Sequence, residues 1–224
     1  MLLGKVTPVV DAYSPEILHA ISRQSGRDSI GLKAAMPFHG VDIWHAYELS
    51  WLNLEGKPEA RVGRFTVSAE SPNLVESKSL KLYLNSLNNM RFASEEAFSA
   101  TVIADVGTVA GVAVSLELWG VNDQEIAGGP LAGDCIDNEA CADPASGSAV
   151  SLGVDGEARV EERLFSHLMR SLCPITGQPD WATLWLHYRG PKLDRVALLQ
   201  YIVSYRQHQE FHEQCAERIF LDIY

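Results

Sequence analysis

Asp42-Ile43-Trp44-His45-Ala46-Tyr47-Glu48-Leu49-Ser50-Trp51-Leu52-Asn53 (DIWHAYELSWLN) carries three aromatics among residues of mixed polarity, and it reads as a strand. Glu55-Gly56-Lys57-Pro58 then supplies a turn. Residues 60–68 alternate as a second strand, with Val62, Phe65 and Val67 as its bulky members. The period changes directly afterwards. Leu80, Tyr83, Leu84 and Leu87 fall at i, i+3, i+4 and i+7, which predicts a helix over 76–89. Ser94-Glu95-Glu96 starts a second helix, and residues 112–119 (VAVSLELW) read as a third strand. Strands and helices in this segregated order point to an α+β fold.

On the N-terminal side, residues 1–40 are rich in Pro, Gly and Ser and read as a loosely structured arm. On the other side, residues 128–156 hold six glycines and two prolines and read as a linker or long loop. The order then restarts. Residues 160–172 form an apolar strand, and 181–188 alternate, with Leu184, Leu186 and Tyr188 on one face and Trp185 and His187 on the other. Asp194 can cap a helix carrying Leu198, Leu199, Ile202, Val203 and Tyr205. A last helix over about 211–223 has Cys215, Ala216, Ile219 and Phe220 on one side. The chain thus divides into an arm (1–40), a first half (41–127), a linker (128–156) and a second half (157–224).

The chain has 224 residues, 46% of them apolar, enough for one large domain or two small ones. Eighteen basic against 29 acidic residues give a formal charge of −11, which argues against a nucleic-acid partner, since gripping a phosphate backbone takes basic surface. No apolar run reaches transmembrane length and no signal peptide is evident, so a cytoplasmic enzyme away from membranes is expected. Cysteines 135, 141, 173 and 215 form no CxxC pair and suit reduced thiols.

Four segments can carry chemistry. In Cys173-Pro174-Ile175-Thr176-Gly177-Gln178-Pro179-Asp180, a thiol ends an apolar run at a turn where it can be partly exposed, and Asp180 lies at the mouth of the next strand. A turn can bring them together as nucleophile and proton donor; the plainer reading is a buried small residue and a turn former. In Glu210-Phe211-His212-Glu213-Gln214-Cys215, Glu213 is either a helix-start carboxylate or an acceptor for the paired donors of a guanine-like ring. His208, His212 and Cys215 would share a helical face that could suit zinc, but no open-site ligand set is evident and no metal is expected. In Glu76-Ser77-Lys78-Ser79-Leu80-Lys81, Lys78, Lys81 and Asn85 share a face near a helix start, where free backbone N–H groups could hold a phosphate; a solvated face is the alternative. Residues 32–44, with Pro37-Phe38-His39-Gly40, are distinctive but name no chemistry.

ESKSLKLY (76–83), CPITGQPD (173–180) and FHEQC (211–215) together resemble the signatures of the 7-cyano-7-deazaguanine reductases of queuosine biosynthesis, nitrile reductases of a tRNA-modification pathway. The longer, two-half form is most similar, since Pro37-Phe38-His39-Gly40, residues 47–53 and His187-Tyr188-Arg189-Gly190-Pro191 also look like it. The resemblance implies two tandem tunnelling folds, each an antiparallel sheet backed by two helices. It implies NADPH as cofactor and reduction of a nitrile to an aminomethyl group. Cys173 would be the nucleophile that forms a thioimide and Asp180 the proton donor. His212 and Glu213, with Val75, Glu76 and Ser77, would bind the deazaguanine; Ser77 and Lys78 would contact NADPH. A homodimer is implied. Long-form relatives continue with two more strands and an Arg-Gly-Gly element, so the second fold is expected to be incomplete at Tyr224, and a protein of these residues unstable or self-associated and slow. The alternatives are a zinc-dependent cyclohydrolase of the same fold superfamily and a non-catalytic purine- or pterin-binding protein.

Overall fold

The computed structural model describes residues 10–32, 36–123, 128–141 and 151–224. Two compact units divide at 126/127, and the fold of each is α+β.

In the first unit, β2 (Val41–Leu52) pairs antiparallel with β3 (Pro58–Ser68), which pairs antiparallel with β5 (Ser115–Trp119). The register of the first pair shifts between Ala46 and Leu49, a bulge that leaves Tyr47 exposed and returns Leu49 and Trp51 to the core. Helix α2 (Ser77–Ser86) buries Leu80, Tyr83 and Leu84, with Leu87 just beyond it, as their spacing requires. Helix α3 (Glu95–Ala110) starts where the Ser94 hydroxyl accepts the N–H of Ala97, and it buries Phe98, Val102, Val106 and Ala110. Trp51 stacks on Phe98 at 4.2 Å between ring centres, and Phe92 meets Phe98 edge-on. Gly111 ends α3 at φ +74; a Cβ there would come 2.5 Å from the Pro72 ring, so glycine is required twice over.

The expected loose arm is not loose where it is described. Its β1 (Ala20–Ser22) pairs antiparallel with β4 (Asn73–Val75), and α1 (Arg23–Ser29) follows. The buried Arg23 is ion-paired with Asp42 and bonds Ser71, and Arg27 donates to the Ala69 carbonyl at 2.6 Å. Polar side chains supply this docking, so a reading of apolar periodicity passes over it. Residues 1–9 and 33–35 of that arm lie outside the described residues.

In the second unit, β7 (Val154–Leu172) and β8 (Pro179–Leu193) form a long antiparallel hairpin. Leu184, Leu186 and Tyr188 pack on the core with Leu164 and Met169, while Trp185 is exposed. Helix α4 (Arg195–Ser204) is capped by Asp194, whose carboxylate accepts the N–H groups of Val196 and Ala197. Helix α5 (His212–Ile223) closes the core with Cys215 and Ile219.

The stretch expected as a linker is partly built into this unit. Its β6 (Asp134–Cys135) runs parallel beside β7, and Ile136 is buried, donating its N–H to Phe165. Of the unassigned 138–150 stretch, residues 142–150 lie outside the described residues. No described helix is long and apolar enough to cross a membrane.

Candidate active site

The hairpin end organises the second unit's chemistry. Asp180 stands opposite Ser171, and the Cys173 N–H donates to the Gln178 carbonyl at 2.8 Å. Cys173, Ser171, Gln178 and Asp180 therefore share one face of the ribbon. Cys173 and Asp180 form a diagonal pair, for which about 7–8 Å between backbones is usual, so two short side chains leave room for a ligand atom between them. The turn closes through the Gly177 N–H to the Cys173 carbonyl, with Gly177 at φ +67.

Cys173 itself is 4% exposed. The expectation of a partly exposed thiol is corrected here; the segment before α5 is bonded to the neighbouring Leu172. The Leu172 N–H donates to His208, and the Glu210 N–H donates back to Leu172. Residues 174–180 around the turn are exposed. These same bonds bring the first turn of α5 beside the hairpin end. His212 and Glu213 occupy that first turn, where the helix dipole favours an acidic side chain. The buried Nε2 of His212 has no hydrogen-bond partner among the described residues, so a polar ligand group can satisfy it.

A network that the sequence did not reveal holds this corner. Glu210 is 8% exposed and accepts a fork from Arg218, Nε to Oε2 at 3.0 Å and Nη2 to Oε1 at 2.8 Å, and a third bond from His208 at 2.9 Å. Burial alone would raise the Glu210 carboxyl, but the bonds from Arg218 and His208 outweigh it and hold the group below the ordinary carboxylate value. The eight-residue spacing from Glu210 to Arg218 was the available signal. His208 lies in the 3-10 turn region before α5, not on the helix face with His212 and Cys215, because α5 begins only at His212. Among the described residues no cluster of three His, Cys, Asp or Glu could hold a metal ion.

Cys215 is fully buried, and burial, with the Glu210 charge second, pushes its thiol up to about 12. At neutral pH it is a protonated core residue.

Val75, Glu76, Ser77 and Lys78 stand in the first unit. Val75 is buried at the end of β4, while Ser77 and Lys78 are exposed at the start of α2. The expected free backbone donors of α2 are not free: the Glu76 carboxylate accepts the N–H groups of Lys78 at 3.0 Å and Ser79 at 2.7 Å. A protein carboxylate thus fills the place proposed for a phosphate. Ser77 instead lines a groove of about 840 Å³ between β2 and α2, with Trp44, His45, Tyr47, Lys81 and Asn85. Lys81 is ion-paired to Glu48 at 3.1 Å.

Comparison with known proteins gives two family matches. Residues 9–118 match the model described as nitrile reductase, 7-cyano-7-deazaguanine-reductase N-term, and residues 179–224 match that of a QueF-like protein. Proteins named NADPH-dependent 7-cyano-7-deazaguanine reductase are similar along nearly the whole chain. The one from Chromohalobacter salexigens is 47% identical over 222 residues, which is 99% of this chain and 80% of the relative. Those from Paraburkholderia phymatum and an Azoarcus species are 46% and 48% identical, again over 99% of this chain and over 82% and 79% of their own lengths.

Proposed function

This chain belongs to the NADPH-dependent 7-cyano-7-deazaguanine reductase family, and from that premise we propose how its own residues carry out the reaction. It is an oxidoreductase that reduces the nitrile of 7-cyano-7-deazaguanine to an aminomethyl group with NADPH, a step of queuosine biosynthesis. Neither a cyclohydrolase nor a binding-only reading is favoured beside relatives of this name.

The observation that carries the mechanism is the hairpin end, where one face holds Cys173 and Asp180 and the start of α5 lies against it. The Cys173 sulfur adds to the nitrile carbon. A C–S bond forms, one π bond of the nitrile opens, and the electron pair on nitrogen takes a proton from Asp180, giving a thioimide. The thiol proton passes to solvent as the thiolate forms, and Asp180, which is exposed, takes one back from solvent, so the addition consumes no net proton. A C=N of this kind accepts hydride far more readily than a nitrile. Bound NADPH would supply two hydrides; with two protons, and with the C–S bond breaking to return the Cys173 thiol, they take the thioimide to the amine.

His212 and Glu213 hold the deazaguanine. The unpartnered Nε2 of His212 gives one polar contact, and the Glu213 carboxylate accepts from the ring N1–H and 2-amino group. In the first unit, Val75, Glu76 and Ser77 are the further residues proposed to contact deazaguanine, and Ser77 and Lys78 those proposed to contact NADPH. The Glu76 carboxylate already caps α2, so at this helix start the cofactor meets side chains, not bare backbone donors.

The other three cysteines are weaker nucleophile candidates. Cys215 is buried with a raised thiol, and Cys135 and Cys141 are exposed and lie outside the 173–180 turn in sequence. The protein acts as a homodimer in the cytoplasm. Supporting this are the outer edge of β8, which has no strand partner among the described residues, and four cysteines that form no disulfide. The acidic total of −11 favours a small-molecule partner over nucleic acid.

The test is NADPH oxidation followed by absorbance with the nitrile as substrate. Wild type is expected to consume two NADPH per nitrile, and Cys173→Ala to consume none while still binding the nitrile by calorimetry. A Cys173→Ala protein that turns over overturns the assignment.

A further inference from the structure

Trp181 is 62% exposed, one residue past Asp180 on β8. Across the hairpin it stands opposite Arg170, whose guanidinium carbon lies 5.9 Å from the indole centre. Arg206, from the 3-10 turn Tyr205–Gln207, comes to 5.5 Å of the same ring. Two cations thus converge on one exposed aromatic ring.

Neither cation has a counter-ion among the described residues. Arg23, Arg61, Arg64, Arg195 and Arg218 all pair with carboxylates, as expected in a chain with 29 acidic and 18 basic residues. Arg170 and Arg206 form no ion pair among the described residues, and the Nε of Arg170 is buried with no hydrogen-bond partner. The two guanidiniums lie 5.9 and 5.5 Å from one ring centre, and cation–π contacts at an exposed site stabilise each of them only weakly. An anion held by both would supply the counter-charge that neither has among the described residues. Two planar guanidinium forks suit a phosphate, and an exposed indole suits a purine face.

We propose that Arg170, Arg206 and Trp181 form the site for the phosphate-bearing adenosine end of NADPH, with the 2′-phosphate between the guanidiniums and the adenine against Trp181. This rests on the reductase reading above. Side chains alternate along a strand, so Trp181 and Arg170 lie on the hairpin face opposite the one shared by Cys173 and Asp180. That separation suits a dinucleotide, whose adenosine and reacting nicotinamide are at opposite ends of the molecule. It also gives the enzyme a reason to prefer NADPH over NADH, which lacks the 2′-phosphate.

The experiment is calorimetric titration of the full chain with adenosine 2′,5′-bisphosphate and with 5′-AMP, together with the NADPH-to-NADH ratio of kcat/KM. The variants are Arg206→Gln, Arg170→Gln and Arg206→Lys. Wild type is expected to bind the bisphosphate more tightly than 5′-AMP. Each glutamine variant should weaken bisphosphate binding by roughly ten- to a hundredfold, the value of a charge-assisted hydrogen bond, and leave 5′-AMP affected far less. The cofactor preference should fall by a similar factor while KM for the nitrile stays put, and Arg206→Lys should recover part of the loss. Glutamine variants that bind the bisphosphate like wild type, or a wild type that does not bind it, would overturn the proposal. A wild type that binds it in this arginine-dependent way yet oxidises no NADPH would uphold the site and sink the reductase reading instead.

Discussion

Replacing Arg218 with Met should destabilise the protein by about 3 kcal/mol at pH 7, at the low end of the ~3–5 kcal/mol that follows removal of one partner of a buried ion pair. The size follows from the geometry. Glu210 is 8% exposed and loses both arms of a fork at 2.8 and 3.0 Å, so a carboxylate is left buried. Two features hold the cost down: the Arg218 side chain is itself 25% exposed, and His208 still donates to Glu210. In wild type the Glu210 carboxyl sits below its ordinary value of 4.5, so its stabilising contribution is present at neutral pH and is lost as the pH falls through that lowered value. In the variant, burial is opposed only by His208, the carboxyl titrates higher, and protonation on acidification removes the buried charge. The difference between the two proteins must therefore shrink as pH falls from 7 toward 4. Urea melts at several pH values measure it; in thermal melts ~3 kcal/mol is roughly 6–12 °C for a chain of this size. Adding Glu210→Gln to Arg218→Met should recover part of the loss, since no charge then remains buried. A cost below about 1 kcal/mol, or one that stays constant with pH, would refute the claim that this pair fixes the corner beside Cys173.

Other outcomes follow from the same corner. Asp180→Asn should still bind the nitrile but lose about two to four decades of turnover, the usual share of a general acid, and a near wild-type rate in a stopped assay would remove Asp180 from the chemistry. Glu213→Leu should weaken deazaguanine binding by about 1–3 kcal/mol for each ring donor left unsatisfied; unchanged affinity by calorimetry would make Glu213 a helix-start carboxylate and no more.

The strands and helices were legible because their apolar residues keep period. Leu80, Tyr83, Leu84 and Leu87 are buried as their spacing requires, and Leu184, Leu186 and Tyr188 face the core as their alternation requires. The caps Ser94 and Asp194 also stand where their residue types suggest. What escaped was held by polar groups with no period to read. Arg23 and Arg27 dock the N-terminal segment through Asp42 and the Ala69 carbonyl, and β6 with Ile136 joins the second unit from within a glycine-rich stretch. At the site, CPITGQPD announced a turn, and the register brings Cys173 and Asp180 to one face. The burial of Cys173 was not legible, because the segment bonded to its neighbour Leu172, His208 to Glu210, comes from more than thirty positions downstream. Glu76 shows the opposite failure: spacing suggested open donors, yet the residue itself caps them.

The central claim is that Cys173 is the nucleophile, and intact-protein and peptide mass spectrometry tests it without turnover. Wild type mixed with 7-cyano-7-deazaguanine in the absence of NADPH should gain the mass of one nitrile molecule, on the peptide containing Cys173, and Cys173→Ala should gain nothing. An adduct on Cys135, Cys141 or Cys215 in its place, or no adduct from a protein that nonetheless turns over, would contradict the account.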